Sequence, residues 1–491
     1  MSLISPVVSI FYSIFTANGI EMRFFDTSFH DMSEEYANSD TYMSDNLEVK
    51  AFKENYADAL GHLPKFPASD DVCMDFRREV ESFQPDVIMA SAMESTVTFA
   101  LKLLGSVRDF RLPHVLGGVF ATFAPEKAIQ FDAVDYICKG EGERVIVPLV
   151  RLLAEGKNPS GLPGIWTKNP DGTVNKGLLA PPLDLDEIPR FDVAPFHERR
   201  FYRAMAGRVY RMFPVETHRG CPLRCTFCNS PIQDDLYRDE VGTRYFRKKS
   251  VKKVMEDVRY FAEECDAEYF FFWADNLLSY SRAEIDEFAR AYADYRIPFF
   301  VSSYPTTLDE HKVERLVEVG LDRLGMGIEH GNEDFRARII NRRYPNDKAI
   351  ECIKVLRKYP IEYSVNNIVG FPTETPELHW DTVRLNRALA AHTSACSVFT
   401  PFHGTYLREF SIEKGYLKDP DVLAPTNSEE SILEMPQFPK ERIYGKARTF
   451  NLYLKFPESR WKDIEKAEAL TPEGHRIWNE LKEECRLKDA A

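Results

Sequence analysis

Short apolar runs that end in small or polar residues alternate with stretches of helical spacing over the first third of the chain. The runs are residues 22–28 (MRFFDTS), 85–91 (PDVIMAS), 113–118 (PHVLGG) and 134–140 (VDYICKG). This alternation predicts a parallel, doubly wound sheet. Ligands of such sheets lie outside the carboxyl ends of the strands, which here carry Asp26, Ser91, Gly117, Gly118 and the run 140–143 (GEGE). A buried strand is expected ahead of the first helix, yet Ile10, Phe11, Ile14 and Phe15 already stand at helical spacing. Either that strand is reduced to residues 2–7 or the domain is abridged.

Residues 161–195 turn rich in Pro, Gly and Asp, with NPDG at 169–172 reading as a hairpin turn between GIWTK and VNKGLL, and are expected to be a connector. From residue 210 a second alternation begins. Val251, Val254, Met255, Val258 and Phe261 follow helical spacing behind a cap at Ser250, and similar faces recur at Val313, Leu316, Val317 and at Ala349, Ile350, Ile353, Leu356. Between them lie six strand candidates: FPVETHR, EYFFFWA, PFFVSSY, RLGMGIE, YSVNNIVG and ACSVFTP. Six strand–helix units of parallel type predict a partial (β/α)6 barrel with its chemistry at the strands' carboxyl ends. After about residue 404 the alternation gives way to mixed charged and aromatic helices. The expected division is 1–150, a connector 151–205, a barrel 206–410 and a helical region 411–491.

A chain of 491 residues exceeds one hydrophobic core, which agrees with several domains. The formal charge of -14 argues against general attraction to nucleic acid or an anionic membrane and favours a small-molecule substrate. The apolar opening, residues 6–20, contains polar positions and lacks a basic leader, so neither a signal peptide nor a membrane span is expected and the location is read as cytoplasmic. Nine cysteines are an odd number in a long chain, and a disulfide framework is not expected. Six stand alone and read as small buried hydrophobes. The run RKK at 247–249 reads as a solvated helix start, and the aromatic run 269–273 as buried strand.

The other three cysteines, Cys221, Cys225 and Cys228, lie in GCPLRCTFC directly after the first barrel strand. Three thiolates hold three irons of a cubane and leave the fourth iron open. A zinc site needs a fourth ligand, for which His218 is available, and that alternative stays open. The spacing, with the aromatic Phe227 before the third cysteine, resembles the radical S-adenosylmethionine (SAM) superfamily. The resemblance implies a 4Fe-4S cluster that binds SAM and cleaves it reductively to a 5'-deoxyadenosyl radical, with the electron coming from a flavodoxin- or ferredoxin-type donor. WADN at 273–276, GIEHG at 327–331 and NNIVGFPTET at 366–375 resemble the superfamily's cofactor-binding strand ends. This implies SAM contacts from Phe227, Asp275, Ser302, Ser303, Glu329 and Asn367, with Gly370 admitting the adenine.

The order PDVIMAS, LGGVFAT, VDYICKGEGE resembles the Rossmann-like cobalamin (B12)-binding domain that precedes the barrel in the cobalamin-dependent radical enzymes, and PFHGTYL at 401–407 resembles the segment that closes their core. The matching positions are Ser91, Ala92, Met93, Thr96, Gly117, Gly118, Val119, Glu141, Gly142 and Glu143. There is no Asp-x-His-x-x-Gly, and His30 is the nearest candidate for a lower axial ligand. Methylthio-transferring relatives fit poorly, because only Cys73 and Cys138 precede the barrel. The implied activity is a C-methyltransferase; a radical cyclase, oxidase or rearrangement enzyme and a non-catalytic corrinoid or iron–sulfur carrier are the alternatives.

Overall fold

The computed structural model describes residues 3–30, 61, 63, 68–69, 71–205, 208–424 and 430–489. Three short parallel strands, β1 (Ile88–Ser91), β2 (His114–Gly117) and β3 (Tyr136–Cys138), stand side by side in chain order. Helices Glu94–Ser106, Val119–Phe123 and Ile146–Ala154 follow them. The hairpin forms as read, with β4 (Ile165–Lys168) and β5 (Val174–Lys176) flanking the NPDG turn. It is not a free connector, because β4 pairs antiparallel with β3 and extends the first sheet to five strands. Alternation explains its attachment: Trp166 packs into the core on one face with Val97 and Ile137, and Ile165 into the core on the other with Val115 and Leu149.

The strand expected at residues 22–28 does not form. Asp26 instead accepts from Ser28 N at 3.0 Å to cap a single turn, Thr27–Phe29, and its buried carboxylate pairs with Arg200 at 3.1 Å. Among the described residues no strand precedes the first helix either; Ser5 caps helix Pro6–Ala17 and proline enters at its first turn. Among the described residues β1 is thus an edge strand of the first sheet. That first helix fastens the two halves together. Ile10 is buried in the barrel's core, whereas Phe11 lies where a Cβ on Gly142 would sit, 2.7 Å away.

All six barrel strands are present. β6 (Tyr202–Met205) pairs antiparallel with β7 (Arg208–Glu216), and a small ribbon of β8 (His218–Arg219) and β9 (Arg247–Lys248) follows. Then β10 (Tyr269–Trp273), β11 (Phe299–Ser303), β12 (Leu321–Glu329), β13 (Glu362–Val369) and β14 (Thr393–Val398) join β7 in parallel, in chain order. The expected helices stand between them as Val251–Glu264, Glu310–Val317 and Asn346–Leu356, and Ser250 caps the first by accepting from Lys253 N at 3.1 Å. Phe270 and Phe272 point outward into the helix-covered core, and Phe271 stacks on Phe300 inside the curl at 4.7 Å. Leu3, Met212 and Tyr269 plug its floor. Among the described residues no further strand closes the half-barrel; helix Lys440–Lys455 of the carboxyl-terminal region lies against its last strand, β14. Among the described residues no helix is long and apolar enough to cross a membrane, and no disulfide forms.

Candidate functional site

The cysteine loop leaves β8 through Gly220, whose φ of +79° and close approach to Phe246 (3.3 Å from a built Cβ to the backbone) require glycine. It ends where Cys228 caps helix Asn229–Val241, its Sγ accepting from Ser230 N at 3.4 Å. Between these points it is pinned from two sides. Thr226 N donates to Ile340 O at 3.2 Å and Asn341 Nδ2 to Arg224 O at 2.8 Å; from the other side Leu407 N donates to Thr226 O at 3.1 Å and Asn229 Nδ2 to His403 O at 3.0 Å. Burial pushes the Cys221 and Cys228 thiols up to about 12, and Asp275 across from them adds to both shifts. A bound metal takes the thiolate and displaces that proton. Among the described residues no three His, Cys, Asp or Glu side chains are gathered closely enough to hold a single metal ion. His218 is buried between the rings of Phe246 and Tyr280, beside the Thr217 hydroxyl at 3.2 Å, and burial lowers its pKa to about 4. Three thiols on a rigid loop at the mouth of a half-barrel are a donor set that fits an open-site cubane.

The strand ends divide by the direction of their side chains. Phe227 packs against Phe371 at 5.9 Å. Asp275 is open to solvent yet lies deep in a concave mouth, and that depth raises its carboxyl pKa. Glu329 sits at an irregularity in β12 with φ +67°, its carboxylate 3.2 Å from Arg342 Nη1; burial raises its pKa and the guanidinium opposes the rise. Ser302 faces the half-barrel interior beside Phe300, but Ser303 points the other way and donates to Gly325 O at 3.2 Å. Asn367 likewise points outward, exchanging side-chain hydrogen bonds of 3.0 and 2.9 Å with Asn386. Its neighbour Asn366 is the exposed one, and the two-residue period of the strand was the signal that finds it. Gly370 has φ +87°, and the space a Cβ would take is filled by Ile443 of helix Lys440–Lys455, 2.7 Å away. Its N–H and that of Phe371 both donate to Glu374, at 2.6 and 3.0 Å. Trp273, at the end of the aromatic run, is 46% exposed, unlike the buried Tyr269, Phe270 and Phe272 before it.

On the first sheet, Ser91, Met93 and Val119 are exposed at the carboxyl ends of β1 and β2, the last two at 56% and 46%. Gly118 (φ +90°) lets β2's exit touch the Ala92 backbone, 2.8 Å from a built Cβ, and Thr96 closes the turn by accepting from Met93 N at 3.1 Å. An exposed apolar rim around a glycine turn fits the face of a corrin. The GEGE run behaves otherwise. Glu141 and Glu143 reach Arg219 at 3.1 and 2.7 Å, Glu141 also pairs with Arg247, and the chain of charges continues through Glu216 and Lys249 to Asp257. Lys249 is buried and Lys248 pairs with Glu284 at 2.8 Å, so the basic run is interface rather than solvated helix. Tyr237 OH accepts from Glu141 N at 2.9 Å, and Glu240 holds Lys139 at 2.5 Å, which brings the far end of the helix begun by Cys228 onto the first sheet. His30 is paired with Asp75 at 3.2 Å.

The segment after β14 joins the two parts of the site. Glu94, one residue beyond Met93, accepts from His403 N and Ala424 N at 2.8 Å each and pairs with His403 Nδ1 at 2.8 Å and Arg408 at 3.6 Å. The same segment holds the cysteine loop through His403 O and Leu407 N.

Comparison with known proteins agrees with this geometry. The family model of the radical SAM superfamily matches residues 215–385, and that of the B12 binding domain matches residues 63–150. An uncharacterized methyltransferase of Pyrococcus horikoshii is 26% identical over 408 residues, covering 81% of this chain and 84% of that protein. An anaerobic magnesium-protoporphyrin IX monomethyl ester cyclase of Rubrivivax gelatinosus is 25% identical over 338 residues, covering 66% of this chain and 58% of that protein. The solved radical SAM methyltransferase TsrM of Kitasatospora setae, with cobalamin and a 4Fe-4S cluster bound, shares the fold at TM-score 0.63 and 15% identity, covering 100% of this chain and 97% of that one. With its three-thiol loop on a half-barrel behind an amino-terminal parallel sheet, the chain carries a radical SAM domain and a B12 binding domain, the pairing that cobalamin-dependent radical SAM enzymes are built on.

Proposed function

We propose that the protein is a methyltransferase that alkylates an unactivated carbon, or a phosphorus, of a small-molecule or natural-product intermediate. The observation that carries this is the shared contact of segment 401–424: it grips both the cysteine loop and the strand end that bears Met93, which supports two cofactor sites facing one another. When bound, the cluster supplies the electron that cleaves SAM and the corrin supplies a methyl group for transfer. Cys221, Cys225 and Cys228 hold three irons, and Phe227 shields that side from water. Asp275, Ser302 and Glu329 take polar groups of SAM at the mouth, while Ser91, Ala92, Met93, Thr96, Gly117, Gly118 and Val119 frame the corrin. The outward turn of Ser303 and Asn367 supports a role in holding strand ends, and the ion pairs of Glu141 and Glu143 support a role in docking the domains. Exposed Trp273 and Asn366 offer a substrate one flat apolar face and one amide. A cytoplasmic location fits cysteines held outside disulfides, and a flavodoxin- or ferredoxin-type donor fits the need for single electrons.

The cyclase relative favours a second reading, radical cyclisation, though this chain spans a smaller share of it. Anaerobic reconstitution with iron, sulfide and cobalamin, then SAM and reductant, separates the two. S-adenosylhomocysteine together with 5'-deoxyadenosine is the expected outcome by mass spectrometry. Deoxyadenosine with no homocysteine product overturns methyl transfer.

A further inference from the structure

Arg342 was not among the residues that the motifs pointed to, yet its side chain is held by two hydrogen bonds, an ion pair and two aromatic rings. Its Nε donates to Cys225 Sγ at 3.1 Å, and its Nη1 donates to Gly327 O at 2.7 Å and meets Glu329 Oε1 at 3.2 Å. The rings of Tyr304 and Phe227 lie 4.8 and 5.4 Å from its guanidinium carbon. The residue is 8% exposed. We infer that Arg342 is a positioning residue that fixes the Cys225 thiolate through an N–H···S bond and raises the reduction potential of the cluster, with Glu329 as the counter-ion that keeps the guanidinium in place.

The inference rests on the reading of the three cysteines as cluster ligands. Reduction adds one negative charge to a cluster already made negative by its thiolates. A cation and a hydrogen-bond donor at one of the sulfurs both stabilise the reduced form more than the oxidised form. Arginine suits the place because its charge is permanent and its planar fork donates in two directions at once, here toward sulfur and toward a carbonyl and carboxylate. Lysine keeps the charge but has no Nε–H positioned at mid-chain. Removing the charge outright leaves Glu329 buried without its partner, which by itself would perturb the site. The pair must therefore also be removed together.

Wild type, R342K, R342M and R342M/E329Q are reconstituted anaerobically with iron and sulfide alone and titrated against potential by electron paramagnetic resonance. R342M and the double variant are expected to reduce at more negative potential than wild type, with R342K between them. An unchanged potential in R342M overturns the inference, as does a double variant that returns to the wild-type value, since the shift would then come from the unpaired Glu329. If R342M holds no cluster, R342K decides: a potential below wild type supports the inference and an equal one overturns it. A wild-type chain that takes up no iron and sulfide sinks the cluster reading itself, a result distinct from any of these.

Discussion

Glu94→Ala tests whether the first sheet and the barrel act as one body. Glu94 is 5% exposed and its carboxylate serves four groups: two backbone N–H at 2.8 Å, His403 Nδ1 and the buried Arg408. Alanine strands both N–H groups, and hydrogen bonds to a charged acceptor contribute about 1.5–3 kcal/mol each. Arg408 keeps three carbonyl partners, Pro401, Pro420 and Val422, so its charge is not left bare. The expected loss is about 3–5 kcal/mol, as for breaking a buried pair. For an unfolding unit of 150–250 residues, about 3 kcal/mol corresponds to a fall in Tm of about 6–12 °C. Glu94→Gln retains one acceptor oxygen but turns an N–H toward the second backbone donor, so about half the loss is expected. Calorimetry of the apo protein under anaerobic conditions measures both. A Glu94→Ala protein that melts with wild type, or a Glu94→Gln protein that falls as far as alanine, refutes the reasoning.

Replacing any one of Cys221, Cys225 and Cys228 with Ala is expected to abolish reductive SAM cleavage, measured as 5'-deoxyadenosine; retained cleavage contradicts the cluster assignment. Gly118→Ala forces a side chain into positive φ and within 2.8 Å of the Ala92 backbone, so a loss of about 1–3 kcal/mol is expected from backbone strain, together with weaker cobalamin uptake by absorbance. Uptake equal to wild type would show that this turn does not frame the corrin. His218 is held neutral by burial, with its pKa lowered to about 4. Between pH 6.5 and 4 the unfolded chain binds the proton and the folded chain does not, so stability falls as pH falls through that window. The loss approaches about 3 kcal/mol at the acid end. His218→Gln should flatten that part of the stability–pH curve, and an unchanged slope would mean that another group carries it.

The barrel strands were legible because a parallel strand covered on both faces is a near-continuous apolar run, and EYFFFWA or PFFVSSY can hardly be read otherwise. The cysteine loop was legible because its spacing is local. What sequence did not reveal depends on partners far along the chain. Nothing near Arg342 marks its meeting with Cys225, and nothing in GEGE marks Arg219 and Arg247 as its partners. Ser303 and Asn367 were expected in the mouth because they end strands, but the pleat turns each outward and leaves Ser302 and Asn366 inside. The irregularity of β12 near Glu329 shifts which residues face inward, and composition carries no trace of it. The strand expected at 22–28 failed for a similar reason: Asp26 found Arg200, and its buried ion pair holds the chain in a turn.

Helix Asn229–Val241 begins at the third thiol of the cysteine loop and ends on the first sheet, with Cys228 at its cap and Tyr237 and Glu240 touching Glu141 and Lys139. Thirteen helical residues span about 20 Å, with each residue adding about 1.5 Å and turning the far end by about 100°. Such a rod works as a ruler. It converts the separation of the cysteine loop and the first sheet into a count of residues, so one residue added or deleted in its middle would misalign the far contacts rather than merely stretch the gap. The spacing between the thiol loop and the first sheet would then be inherited as a length of sequence.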